Sequence, residues 1–163
     1  MRIIEVPDFH FSPKWADASL AAAKAVAQAA RDHKASLIVI PGDLYDAPIM
    51  VTDKGGINQL RRIIQMWLQV CPVAAIEGTP SHDGPGCYGP LEDMGLVLLK
   101  PNTMYGLYGK NVLTITPGTS TEDPYLDLLL FGVPELDKHN VQAKLALPAE
   151  QANHLALDLF AQY

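Results

Sequence analysis

Cysteine is scarce in this chain: Cys71 and Cys87 are the only two among 163 residues, and no C-x-x-C spacing joins them. A disulfide framework and a zinc knuckle are therefore not expected. The plain reading is one core thiol and one loop thiol, with a reducing cytosol as the default compartment. Long apolar runs are missing too. None reaches the roughly 18 residues that a transmembrane helix needs, and the longest, over 63–76, is broken by Pro72. No membrane partner is expected. Glu5 and Asp8 near the start argue against a signal peptide. Positive charge is also short, with 12 Lys and Arg against 18 Asp and Glu and a formal net charge of -6. That argues against a basic domain living on nucleic-acid phosphates. It leaves room for an enzyme that grips phosphates through metal ions, because a metal brings its own positive charge. Internal repeats and low-complexity segments are absent. What is present is 48% hydrophobic and 18% charged residues, enough apolar side chains for a packed core. The length corresponds to about one domain, at the usual ~100–200 residues each.

The first half reads as β-α-β-α-β. Residues 2–6 (RIIEV) are short, branched and apolar, as a strand requires. From Ala16 to Lys34 the chain is alanine-rich, with Leu20, Ala23, Val26, Ala27 and Ala30 at helical spacing. Residues 36–41 (SLIVIP) predict a second strand. Leu60, Ile63, Ile64, Trp67 and Leu68 form an apolar stripe on a helix predicted over 56–70. Residues 72–76 (PVAAI) predict a third strand. Buried strands alternating with helices make a parallel sheet covered on its faces, with right-handed crossovers. The second half changes character. It has Gly- and Pro-rich turns (GPGCYGP, TPGTSTEDP), further strands at NVLTIT and LDLLLFGV, and an amphipathic helix predicted over 148–162.

Polar groups gather where the first three strands end. Asp8 and His10 follow the first strand. Asp43 and Asp46 follow the second in PGDLYD, and Ser81, His82 and Asp83 follow the third in EGTPSHD. In a parallel sheet these ends share one edge, where ligand sites form. Residues two apart in an extended chain point the same way. Asp8 and His10 are thus expected on one side, roughly 7 Å apart at the backbone, leaning onto one ion at about 2.1 Å. Asp43 arrives from the neighbouring strand, where Pro41 stops the strand and Gly42 allows a tight turn. Its two oxygens can bridge two ions. Mixed carboxylate and imidazole ligands suit manganese, iron or zinc better than calcium. Two ions about 3.5–4 Å apart stabilise the attacking and leaving oxygens of a phosphoryl displacement. Taken singly, each residue has an ordinary explanation: Asp8 caps a strand end, Asp43 caps a turn, and His82 is an exposed loop histidine. Together these explanations need three coincidences on one edge. Asp46 reads either as a partner behind the ligands or as a surface charge, and Asp83 and Glu77 carry less weight still.

The motifs Asp8-Phe9-His10, Gly42-Asp43-Leu44-Tyr45-Asp46 and Gly78-Thr79-Pro80-Ser81-His82-Asp83 together resemble the D-x-H, G-D-x-x-D and H-D-ending glycine loop of the calcineurin-like metallophosphoesterase superfamily. The likeness covers about residues 1–135. Within the superfamily the wording is most similar to the SbcD-type exonuclease subunits of DNA double-strand-break repair. The resemblance implies an α/β fold, with a parallel-core sheet flanked by helices forming half of a four-layer α/β/β/α sandwich. It implies Asp8 and His10 as ligands of a first metal, Asp43 as a bridge to a second, and Ser81 in the place of the family's asparagine ligand. His82 would contact the scissile phosphate and protonate the leaving oxygen, or stabilise the charge growing there. The implied activity is phosphodiester hydrolysis by a metal-bound hydroxide. Manganese is the implied ion, DNA the substrate, and an SMC-type ATPase subunit the partner. A homodimer through helices near the metal site is also implied. The helix over 56–70 is a candidate for it, although its apolar stripe is expected to face the sheet.

Two departures from the family pattern bear on these expectations. The family loop is normally G-N-H-D or G-N-H-E. Here it is two residues longer, and the Ser81 hydroxyl is a shorter and poorer ligand than asparagine, so a second metal would be held weakly or through water. The family also supplies downstream histidines in G-H and G-H-x-H motifs. Of His10, His33, His82, His139 and His154, none after His82 follows a glycine, and no H-x-H occurs. Residues 1–163 are therefore expected to form one domain cut short on its C-terminal side, with a half-built metal centre and weak or absent catalysis on its own. Two other functions stay open at this point: a phosphatase or phosphodiesterase acting on small molecules, and a non-catalytic interaction fragment with an incomplete metal centre.

Overall fold

The computed structural model describes residues 1–48, 53–84, 86–101, 103–115 and 123–132. All belong to the first of two units into which the chain divides, Met1–Val133 and Pro134–Tyr163. The helix expected over 148–162 lies outside the described residues. The first unit opens with β1 (Ile3–Glu5), α1 (Ala16–Asp32), β2 (Leu37–Ile40), α2 (Lys54–Leu68) and β3 (Val73–Ala75), the order read from the sequence. It continues with α3 (Gly89–Glu92), β4 (Val97–Leu98), β5 (Thr103–Tyr108), β6 (Asn111–Thr114) and β7 (Leu128–Gly132). The fold is α/β.

Strands β1 to β4 form a parallel sheet in sequential order, in register through Ile4↔Ile38, Val39↔Ala74 and Ala75↔Leu98. Strands that advance in one direction through right-handed crossovers place all their helices on the same face. The side chains agree. Ile38, Ile40, Val73 and Ala75 share a core with Ala23, Ala27 and Ala30 of α1 and with Leu60, Ile63, Ile64 and Trp67 of α2. The alternate residues Leu37, Val39, Ala74 and Ile76 point the other way, as the two-residue period of a strand demands. They would face water without a second cover. The second half of the chain supplies it as an antiparallel sheet ordered β6-β5-β7, whose Tyr105 and Leu107 pack on that face with Leu99.

The helices end where local chemistry dictates. Helix α1 stops at Asp32, two residues short of the sequence reading. Lys34 turns left-handed (φ 50), and the Ala35 amide then donates to the Ala30 carbonyl at 2.8 Å. This pair of features is the Schellman closure, which satisfies carbonyls that a helix end leaves orphaned. Alanines at its buried positions let α1 approach α2 closely. The indole Nε1 of Trp67 reaches across to donate to the Ala23 carbonyl at 2.9 Å, so a fully buried donor is satisfied. Helix α2 begins at Lys54, not 56, because Asp53 caps it by accepting from the Gly56 amide at 3.1 Å. Its apolar stripe faces the sheet, as expected.

Besides a 3-10 turn at Pro13–Trp15, three elements lie outside the sequence reading. Strand β4 is two residues long. Strand β5 lies in TMYGLY, which lacks a strict alternation. The GPGCYGP segment, expected as turn, ends in the first two residues of the single helical turn α3. NVLTIT and LDLLLFGV do supply strands, β6 and β7, and both pair antiparallel with β5. Both cysteines are buried and unpaired, so neither is the exposed loop thiol of the plain reading. No described helix is long and apolar enough to cross a membrane.

Candidate metal centre

At the carboxyl ends of β1, β2 and β3, four of the sequence-designated residues come together: Asp8, His10, Asp43 and His82. One ligand atom from each of Asp8, His10 and Asp43 lies within 4.8 Å of the other two. The His82 ring stands edge-on to that of His10, with centroids 4.6 Å apart. His82 thus joins the cluster from the third strand's loop.

The convergence does not arise from the extended geometry expected for Asp8 and His10. Both residues are left-handed, with φ of 47 and 48, and so is Asp43 at 48. Left-handed backbone costs an L-residue roughly 1–2 kcal/mol. Asp tolerates it better than most residues, and His shares that tolerance. Of the four non-glycine residues in this conformation among those described, three are the three candidate ligands; the fourth is the helix-closing Lys34. Strain of this kind persists only where surrounding structure over-determines it, and it concentrates at functional sites. The surrounding structure here is a second stretch of pairing. Beyond the kink the His10 amide donates to the Asp43 carbonyl (3.1 Å), Phe11 to Leu44 (2.8 Å), and Asp46 back to Phe11 (2.9 Å). Fully buried Phe11 and Tyr45 form the bridge that anchors it.

The loop after β3 meets the loop after β2 almost backbone to backbone. A Cβ on Gly78 would collide with the amide nitrogen and Oδ1 of Asp43 and with Oδ2 of Asp83. Gly42, at φ +118, lies against the Gly78 Cα. Only a glycine pair permits this approach. Thr79 then donates from both its amide (2.7 Å) and its hydroxyl (2.9 Å) to Oδ1 of Asp43. That aims the carboxylate and commits one of its oxygens. With the Thr79 proton spent on Asp43, Ser81 is the donor in the 3.1 Å contact between their hydroxyls. Ser81 is exposed on the loop beside Thr79.

The neighbours of His82 differ from expectation. Its Nδ1 lies 2.8 Å from the backbone carbonyl of Asp46. A carbonyl only accepts, so Nδ1 carries the proton and Nε2 is the free nitrogen. Asp46 therefore serves His82 through its main chain, and its side chain is exposed.

Asp83, given little weight in the sequence, is 2% exposed. Its carboxylate accepts from the amides of Leu44 (3.3 Å), Tyr45 (3.0 Å) and Gly78 (2.8 Å) and from the Tyr88 hydroxyl (2.7 Å). Tyr88 is held protonated, its pKa raised by burial and by the Asp83 carboxylate it donates to. Tyr45 is likewise raised by burial, then by Cys87 and Asp83, and donates to the Cys87 carbonyl at 2.8 Å. Burial, then the charges of Asp83 and Glu77, pushes the Cys87 thiol up to about 12. Thr79, which sequence reasoning missed, and Asp83, which it underweighted, are neighbours of the candidate site. Their signal was there: Thr79 directly follows the glycine, and Asp83 directly follows the histidine.

The residues fit a divalent cation by donor chemistry and by spacing. Two carboxylates and an imidazole present mixed oxygen and nitrogen donors. Donors bonded to one ion at about 2.0–2.2 Å lie at most about 4.4 Å apart, so three atoms within 4.8 Å of one another need only a small approach to share an ion. No family model matches the chain, and no curated protein matches it.

Proposed function

We propose that this chain is a metal-dependent phosphoesterase of the calcineurin-like type, cleaving phosphodiester bonds at the carboxyl edge of its parallel sheet. The observation that carries the reading is the meeting of Asp8, His10 and Asp43, all on left-handed backbone, beside His82. Asp8, His10 and Asp43 would hold the cation, with Ser81 the added ligand for a second ion. Such an ion, when bound, supplies Lewis acidity toward a phosphoryl oxygen and acidifies water. Thr79 orients Asp43. His82 keeps Nδ1–H on the Asp46 carbonyl, so its Nε2 accepts a hydrogen bond when neutral and donates a proton to a leaving oxygen when charged. Manganese as the ion, DNA as the substrate, an SMC-type ATPase as the partner, a homodimer, and a cytoplasmic location follow from the resemblance in the motifs. The α/β fold with an antiparallel sheet on the helix-free face is compatible with half of the family's four-layer sandwich.

Hydrolysis of linear duplex DNA and of bis-p-nitrophenyl phosphate, each with added Mn2+, tests the reading. Metal-dependent cleavage that Asp43→Ala and His82→Ala abolish is expected. Cleavage of the small diester alone moves the substrate class to small molecules. Absence of both overturns the enzyme reading. A second reading, a metal-binding module without catalysis, is favoured by one observation: the described residues supply one three-ligand group. Mn2+ binding without hydrolysis would support it.

A further inference from the structure

Asp83 does something the three ligands cannot do for themselves. Its carboxylate sits between the two loops of the site, and four donors fill it: two amides from the Asp43 loop, one from the His82 loop, and the Tyr88 phenol. A buried carboxylate that accepts several amide bonds is strongly held. Oδ2 takes the Gly78 amide, the Tyr88 hydroxyl and the longer Leu44 contact; Oδ1 takes Tyr45. The Gly78 amide held by Asp83 and the Thr79 amide held by Asp43 are adjacent in the chain. Two carboxylates thus grip one short stretch of loop. Asp83 fixes where the stretch lies, and the stretch fixes where Asp43 points.

We propose that Asp83 is a positioning residue of the metal centre, a lock that spaces the Asp43 loop from the His82 loop, and not a ligand itself. The inference rests on the metal-centre reading above. Groups behind metal ligands typically change affinity about 10–100-fold when altered, which sets the size of the effect.

Asp83→Asn is the sharpest variant, because it keeps the shape and puts an NH2 among four donors. The measurement is Mn2+ binding to the full 163-residue chain, read from the electron paramagnetic resonance signal of free Mn2+, with folding checked by circular dichroism at the same temperature. Folded D83N is expected to bind Mn2+ about 10–100-fold more weakly than the wild type. Tyr88→Phe, which removes one of the four donors, is expected to weaken binding by a smaller factor. A merely structural Asp83 would lower the melting temperature and leave the affinity of the folded molecules unchanged. Wild-type affinity in folded D83N therefore overturns the proposal. If D83N does not fold, Y88F decides, and an unchanged dissociation constant overturns it. Asp8→Ala keeps the two readings apart. If D8A binds Mn2+ like the wild type, the metal centre itself is wrong; if D8A loses binding while D83N keeps it, the lock alone fails.

Discussion

Within five residues the chain passes from Ile38, fully buried and regularly paired, to Asp43, half-exposed on left-handed backbone. The two positions stand for two regions. The interior of the parallel sheet is apolar, relaxed and covered on both faces. Its carboxyl edge is polar and strained, and holds two carboxylates close together. Each region does what the other cannot. Burial of a large side chain contributes about 1.5–3 kcal/mol, so the interior carries stability and can hold the edge in conformations that cost energy. The edge offers donor atoms at close range.

Four substitutions break or sharpen this contrast. The largest effect belongs to the interior. Trp67→Ala removes a fully buried indole and its bond to Ala23, and is expected to cost about 3–5 kcal/mol in urea unfolding. The molecules still folded should bind Mn2+ as before; a parallel loss of affinity would show that the regions are not separable. Gly78→Ala comes next. The methyl forces the two loops apart, at about 1–3 kcal/mol for an overpacked position, and here Mn2+ binding should disappear too.

Asp8→Gly should act in the opposite direction on stability. Asp8 is exposed and left-handed, and it lies near the Asp43 carboxylate. Relief of the left-handed cost, offset by the chain entropy of glycine, predicts a metal-free protein about 0.5–1 kcal/mol more stable. Its melting temperature should no longer rise with Mn2+. Destabilisation without metal would refute the idea of a strained edge.

The smallest effect concerns pH. Partial desolvation first, then the charges of Asp83 and Glu92, raises the pKa of Glu77, which stays exposed enough for the effect to be small. A carboxyl raised on folding makes its ionised form a cost in the native state. That cost is fully present above the folded pKa, fades as pH falls through it, and is gone below the unfolded value, about 4.3. Glu77→Gln should therefore raise the melting temperature slightly at pH 7 and leave it unchanged well below pH 4. An equal offset at every pH would point to something other than ionisation.

Much of the first half was legible because its signals are local. The stripe Leu60, Ile63, Ile64, Trp67 and the run LIVI carry their periods within a few residues. The placement of Asp8, His10, Asp43 and His82 on one edge followed from β-α-β order alone. The second half was less legible, since β4 and β5 exist through partners distant in sequence. Val97–Leu98 is a strand only because β3 lies beside it, and TMYGLY only because β6 and β7 flank it.

Residue type and order thus determined the parallel core, the helices that cover one face, and the identity of the candidate ligands. Periodicity and motif spacing are properties of neighbours in the chain. Packing decided the rest: the antiparallel cover on the second face, the left-handed turns that aim the candidate ligands, and the burial of Asp83 between two loops. Those depend on which backbone donors come to lie around a group after folding, and that arrangement exists only once segments some forty residues apart are in contact.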